Sequence, residues 1–150
     1  MTAAPAVADE PPPPGTAVVT QVVPVVVATA QNAVVQFHYV CSGGNQNHLF
    51  VAVKQGPEVN TTDHSSSDFA DTFYSTNWSV DQGPNALVCD GKRHLMRAQL
   101  TPDAYFAAAN PDAPALSSGP AFVQICLFDV TGLTTNYTMK RVIATQTHKS

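Results

Sequence analysis

Three cysteines, Cys41, Cys89 and Cys126, are the residues of this 150-residue chain best suited to forming a covalent link. They allow three single pairings, and each pairing leaves one thiol over. Cys41 and Cys89 each end a β-like run with the side chain on the apolar side. That placement suits a bond between two non-adjacent strands; the alternative is a pair of buried thiols. A Cys41–Cys89 bond would close a loop of about 49 residues and add ~4 kcal/mol of stability in the chain-entropy account. Cys126 lies in the most apolar stretch, where an unpaired cysteine behaves as a small hydrophobe.

Other chemistry is sparse. His38, His48, His64, His94 and His148 are scattered, without the His-x-His or His-x-x-x-His spacing that aims two imidazoles at one metal. Asp63-His64-Ser65-Ser66-Ser67-Asp68 brings together the residue types of a hydrolytic triad. A triad is assembled by folding, however, so a solvated loop is the expectation. Asp63, Asp68 and Asp71 lack the glycine-containing acidic loop of an EF-hand. Neither a Gly-x-Ser-x-Gly elbow nor a phosphate-binding glycine loop occurs. No cofactor and no metal are expected, and the chain does not read as an enzyme. Phe73, Tyr74 and Trp78 are of the kind that stacks on carbohydrate, although such residues more often fill β cores. Asn60, Asn77 and Asn136 open formal glycosylation sequons.

Composition narrows the partners. Seven Lys and Arg face eleven Asp and Glu, for a net charge of −4, and no basic run appears, so nucleic acid is an unsuited ligand. The valine-rich stretch is interrupted by Thr20, Gln21 and Pro24, and no apolar run reaches the roughly 18 residues of a membrane span. Met1-Thr-Ala-Ala-Pro-Ala lacks the charged start and apolar centre of a signal peptide and reads as a mature form with an added start methionine.

The elements that must position these residues are strands. Residues 1–15 are a proline-rich tail, extended and unable to build helix or inner strand. Residues 16–30 form a valine-rich arm or an edge strand broken at Pro24. Residues 31–150 are the folded domain. Val35, Phe37, Tyr39 and Cys41 alternate onto one face, and Leu49 to Gln55 follows as the return of a hairpin. Ala86 to Cys89 and Lys92 to Leu100 flank the Asp90-Gly91 turn as a second hairpin. Thr101-Pro102-Asp103 predicts a helix start, with Pro102 at the first helical position and a short helix over Ala104 to Ala109. Pro120 to Val130 predicts a central strand and Tyr137 to Thr147 a final one. Seven or eight short strands in a chain of this size predict an all-β, immunoglobulin-like two-sheet sandwich with an extended N-terminal arm.

Tyr39-Val-Cys41-Ser-Gly-Gly and Leu87-Val-Cys89-Asp-Gly-Lys-Arg-His94 resemble small secreted β-sandwich proteins of actinobacteria, a family of unknown function. The resemblance covers about Gln31 to Val130 and implies a secreted domain with a Cys41–Cys89 disulfide and no catalytic residues. The expected function is that of a secreted, non-catalytic binding or adaptor protein. Val18, Val19, Val22, Val23, Val25, Val26 and Val27 would engage a protein partner by strand pairing, within a larger toxin-like extracellular assembly. The same segment also suits an ordinary first strand of the domain. A secreted enzyme inhibitor or small hydrolase using the Asp63–Asp68 loop is the alternative.

Overall fold

A computed structural model describes residues 16–42, 48–77, 86–128 and 134–147; the proline-rich tail, Trp78 and His148 lie outside them. Alternation builds the longest inner strand, as the sequence predicts. In β3 (Ala33–Cys41), every second residue from Ala33 to Cys41 is buried, and those between are half-buried. β1 (Ala17–Val22) and β2 (Val25–Ala28) are one apolar run interrupted at Pro24. β4 (His48–Gln55), β5 (Thr72–Ser75), β6 (Arg93–Pro102), α1 (Ala104–Ala109), β7 (Gly119–Phe128) and β8 (Thr134–Gln146) complete the chain.

The pairing corrects the expected immunoglobulin-like sandwich. β3 pairs with β6 on one edge and with β1 and β2 on the other; β2 pairs with β8, β8 with β7, β7 with β4, β4 with β5, and β5 with β6. The chain of neighbours returns to its start, so seven strands close into a barrel and β1 continues alongside β3. Inward and outward residues alternate in barrels and sandwiches alike, so the pattern of single strands does not separate the two. What closes this sheet is the break at Pro24. Before it, the run pairs with β3 only. After it, Val25–Ala28 pairs in parallel with Ile143–Gln146 of β8.

Two local expectations also change. β3 and β4 are not a hairpin, because β4 lies on the far side of the ring between β5 and β7. Ala86 to Cys89 is not a strand but a cap over one barrel end. There Leu87 is buried, the Val88 N–H donates to the Tyr39 hydroxyl, and the Gly91 N–H donates to the Cys41 carbonyl. Gly91 takes φ +81°, which the Asp90-Gly91 turn requires and glycine supplies without a steric penalty. Leu116 plugs the opposite end, fully buried, a contribution of roughly 2 kcal/mol. Gln146 holds it by donating from Nε2 to the Leu116 carbonyl. The short helix α1 forms where predicted, but Asp103 is its N-cap, accepting from the Phe106 N–H, and Pro102 ends β6 instead.

Cys41 and Cys89 are bonded, with their Cα atoms 4.3 Å apart, and Cys126 is a buried free thiol. The bond ties the end of β3 to the cap. Its 48-residue span predicts that Cys41→Ala/Cys89→Ala loses about 4 kcal/mol. Urea unfolding of this double variant beside wild type and Cys126→Ala checks it, with Cys126→Ala expected to lose the less.

Candidate functional site

Pro24 leaves an opening in the barrel wall. The Pro24 carbonyl still accepts from the Ile143 N–H, but among the described residues no ladder joins β1 to the part of β8 before Ile143. The two strands run side by side there and bound a cleft of about 390 Å³, lined by Val19, Thr20, Gln21 and Val22 on one bank and Tyr137, Thr138, Met139 and Lys140 on the other. Val142 and Ala144 point into the barrel and are buried. Lys140 and Thr138 follow on the same side of β8, yet Lys140 is exposed and Thr138 half-buried. The inner face of β8 is therefore open to solvent through this seam.

Backbone geometry aims polar groups into it. The Ser42 N–H donates to the Thr16 carbonyl, and the Val23 N–H to the Gln36 carbonyl, which fixes the bonded positions of the antiparallel β1–β3 ladder. By the alternation of such a ladder, the N–H and C=O of Ala17, Val19 and Val22 point away from β3, toward the seam. A bulge at Thr20, between Val19 and Gln21, keeps Val19 and Val22 on the inner side, where both pack against the core. The seam thus combines a sheet edge that joins no ladder among the described residues, two valines and one ammonium group.

The valine-rich run predicted to bind a partner is built into the protein's own sheet. Val18, Val25 and Val27 point outward and are 42–51% exposed; Val26 is fully buried; Val19, Val22 and Val23 are half-buried. The Asp63–Asp68 stretch folds as a polar turn leading into a 3-10 helix, His64–Phe69. Asn60 Oδ1 accepts from the Thr62 and Asp63 N–H groups, and Ser66 Oγ accepts from the Asn60 N–H. Ser66 is thereby spent on the backbone. Of the aromatic trio, Tyr74 is buried with its hydroxyl donating to the Ala30 carbonyl, and Phe73 stacks on Phe106 at 5.7 Å. Asn77 uses its side-chain amide inside the fold, donating to Thr101 and accepting from the Ala104 N–H.

Near the disulfide, His94 Nε2 and Asp90 Oδ1 are 2.8 Å apart, and this hydrogen bond, followed by one from the Lys92 N–H, holds the Asp90 carboxyl below its usual range. The pair stiffens the turn under the cap. Among the described residues, no cluster of three metal-ligating side chains forms and no helix is long and apolar enough to cross a membrane.

No family model and no curated protein matches this chain. Among solved structures, the crystal structure of the PmoD soluble domain from Methylocystis sp. (Rockwell) is similar at a TM-score of 0.38 and 9% identity, over 81% of this chain and 78% of that one.

A second cluster, unforeseen in the sequence, lies on the outer face of β4 and β7. Lys54 is only 3% exposed, with Nζ donating to Gln124 Oε1 and lying 4.6 Å from the centre of the Phe73 ring. Gln124 Nε2 donates in turn to the Cys126 sulfur. Burial lowers the Lys54 pKa to about 8, against the opposing pull of Cys126, Asp68 and Asp103, and burial raises that of the Cys126 thiol. The only sequence signal was a lysine on the strand side shared with Ala52. Below pH 8 both folded and unfolded chains hold the Lys54 proton, and the full cost of burying the charge is present. Between about 8 and the ordinary lysine value of 10.5 the folded chain binds fewer protons, so stability rises with pH. Lys54→Met is expected to lose about 1 kcal/mol relative to wild type as pH goes from 7 to 9, read by urea unfolding at each pH.

Proposed function

We propose that this protein is a non-catalytic binding module of an oxidising, extracellular setting that accepts an extended polypeptide strand at the seam between β1 and β8. The observation that carries this is the outer edge of β1, which among the described residues joins no ladder. Its Ala17, Val19 and Val22 backbone groups face a cleft whose opposite bank, Thr138 and Lys140, is solvent-accessible on the barrel's inner side. Strand addition draws affinity from main-chain hydrogen bonds and specificity from pockets for alternate side chains. Both are available here. The valine run serves this reading as the accepting edge rather than as a donated arm, because its own ladder to β3 is already made. The disulfide supports the extracellular setting, since such bonds persist where the surroundings are oxidising.

Proline substitution separates the two edges of β1. The Val19 N–H faces the seam, so Val19→Pro removes a donor from the accepting edge while leaving the β3 ladder whole. The constraint it places on Val18 is compatible with a strand. Val18 is paired with Val40 at a bonded position, so Val18→Pro breaks the fold's own ladder. A displayed library of random nine-residue linear peptides, selected on wild type, should enrich alternating β-branched sequences. These should bind Val19→Pro about tenfold more weakly while its melting temperature stays close to that of wild type; Val18→Pro should melt well below. Equal binding to wild type and a folded Val19→Pro sinks the proposal.

A further inference from the structure

None of the eight described strands contains aspartate or glutamate, so the described carboxylates lie in the segments between strands. Around the seam, β1, β2, β3, β6 and β8 carry Arg93, Arg97, Lys140 and Arg141. Of the described carboxylates, Glu58, Asp63, Asp68, Asp71, Asp103 and Asp112 lie in the segments around the 3-10 helix and α1, and Asp90 lies in the turn before β6, bonded to His94. In a chain with net charge −4, the strands around the seam thus present only cationic and neutral side chains.

One cation lines the seam, and a second is held beside it by a residue of its bank. Lys140 lines the cleft from the inward side of β8, and among the described residues no carboxylate comes within ion-pair distance of it. The Arg93 guanidinium crosses from β6 to donate to Gln21 Oε1, 3.1 Å away, on the opposite bank. Between them stand apolar side chains, Val19 and Val22, that pack on the core and leave room above. An incoming strand places successive side chains on opposite faces. Its inward residues therefore meet valine and the Lys140 ammonium, and its outward residues meet Arg93.

Resting on the seam reading above, we infer that the strand accepted between β1 and β8 is acidic: an extended peptide alternating apolar residues with glutamate or aspartate, one carboxylate pairing with Lys140 inside the cleft and another with Arg93 at its rim. Complementary charge at a half-open site adds modest affinity and a larger share of selectivity, because a like-charged peptide would be repelled from both faces. A flexible polyanion would use the same cations without needing the backbone edge, which is why the two are separable.

The test uses the full chain and three fluorescein-labelled nine-residue peptides, alternating valine with glutamate, glutamine or lysine. Fluorescence anisotropy at low salt should show the glutamate peptide binding about fivefold more tightly than the glutamine one, and the lysine peptide most weakly. At 0.5 M NaCl the charge preference should collapse while glutamine-peptide binding persists. Lys140→Glu should invert the order, and Lys92→Glu, at the turn beside the cap, should leave it in place. If the glutamine peptide binds wild type and fails on Val19→Pro, but charge makes no difference, the seam reading stands and this inference is overturned. If none of the three binds, both are overturned. If heparin displaces the glutamate peptide, and its own binding falls in Lys140→Glu but not in Val19→Pro, the cationic wall serves a polyanion and the inference is again overturned.

Discussion

A proline has no N–H to give to a ladder, and in this protein that missing donor sits where one run gains a second neighbour. Pro24 ends the pairing of β1 with β3 and starts the parallel pairing of β2 with β8. Without the second partner gained after Pro24, the run would pair with β3 alone, and the sheet would keep two free edges. With it, the four residues of β2 bridge β3 and β8 and close the ring. The same kink keeps β1 from following β2 onto β8. Closure and opening are therefore two results of one residue, the barrel sealed beyond Pro24 and parted before it.

How much of this was legible depends on which physical signal each residue emits. β3 was readable because its alternation is complete from Ala33 to Cys41; α1 was readable from Thr101-Pro102-Asp103 before an alanine-rich run, although the cap is Asp103 and Pro102 belongs to β6. The cysteine pair was readable because each residue ends an alternating run with its side chain on the apolar side, and a disulfide joins them, although the run before Cys89 is a cap and not a strand. The barrel was not readable. Closure is a property of which strands are neighbours, and the residues that decide it, Val25–Ala28 and Ile143–Gln146, belong to opposite parts of the chain. The hairpin expected of β3 and β4 failed for the same reason: adjacency in sequence was taken for adjacency in the sheet.

The candidate site was visible only in part. The valine run announced an unusual strand but not which of its two edges is satisfied, since that follows from the register with β3. Lys140 carried a fainter signal. On β8, every second residue from Thr138 reads Thr, Lys, Val, Ala, so the inward side turns from polar to apolar midway. That switch marks the place where the wall opens. Lys54 breaks the pattern of β4 in a different manner, buried on the barrel's outside beneath a loop layer whose acidic residues moderate its cost.

The pairing of β2 with β8 also sets the order in which this molecule can be made. The disulfide and the β3–β6 ladder need only residues up to Leu100, so the cap and one wall can organise while later strands are still unformed. The ring cannot shut until its eighth strand meets its second. That contact has the greatest sequence separation of any strand pair in the fold, and topologies dominated by such contacts fold slowly because chain entropy is spent before the contact rewards it. Until then β2 has an uncovered edge of its own, and the last strand to arrive acts as the clasp.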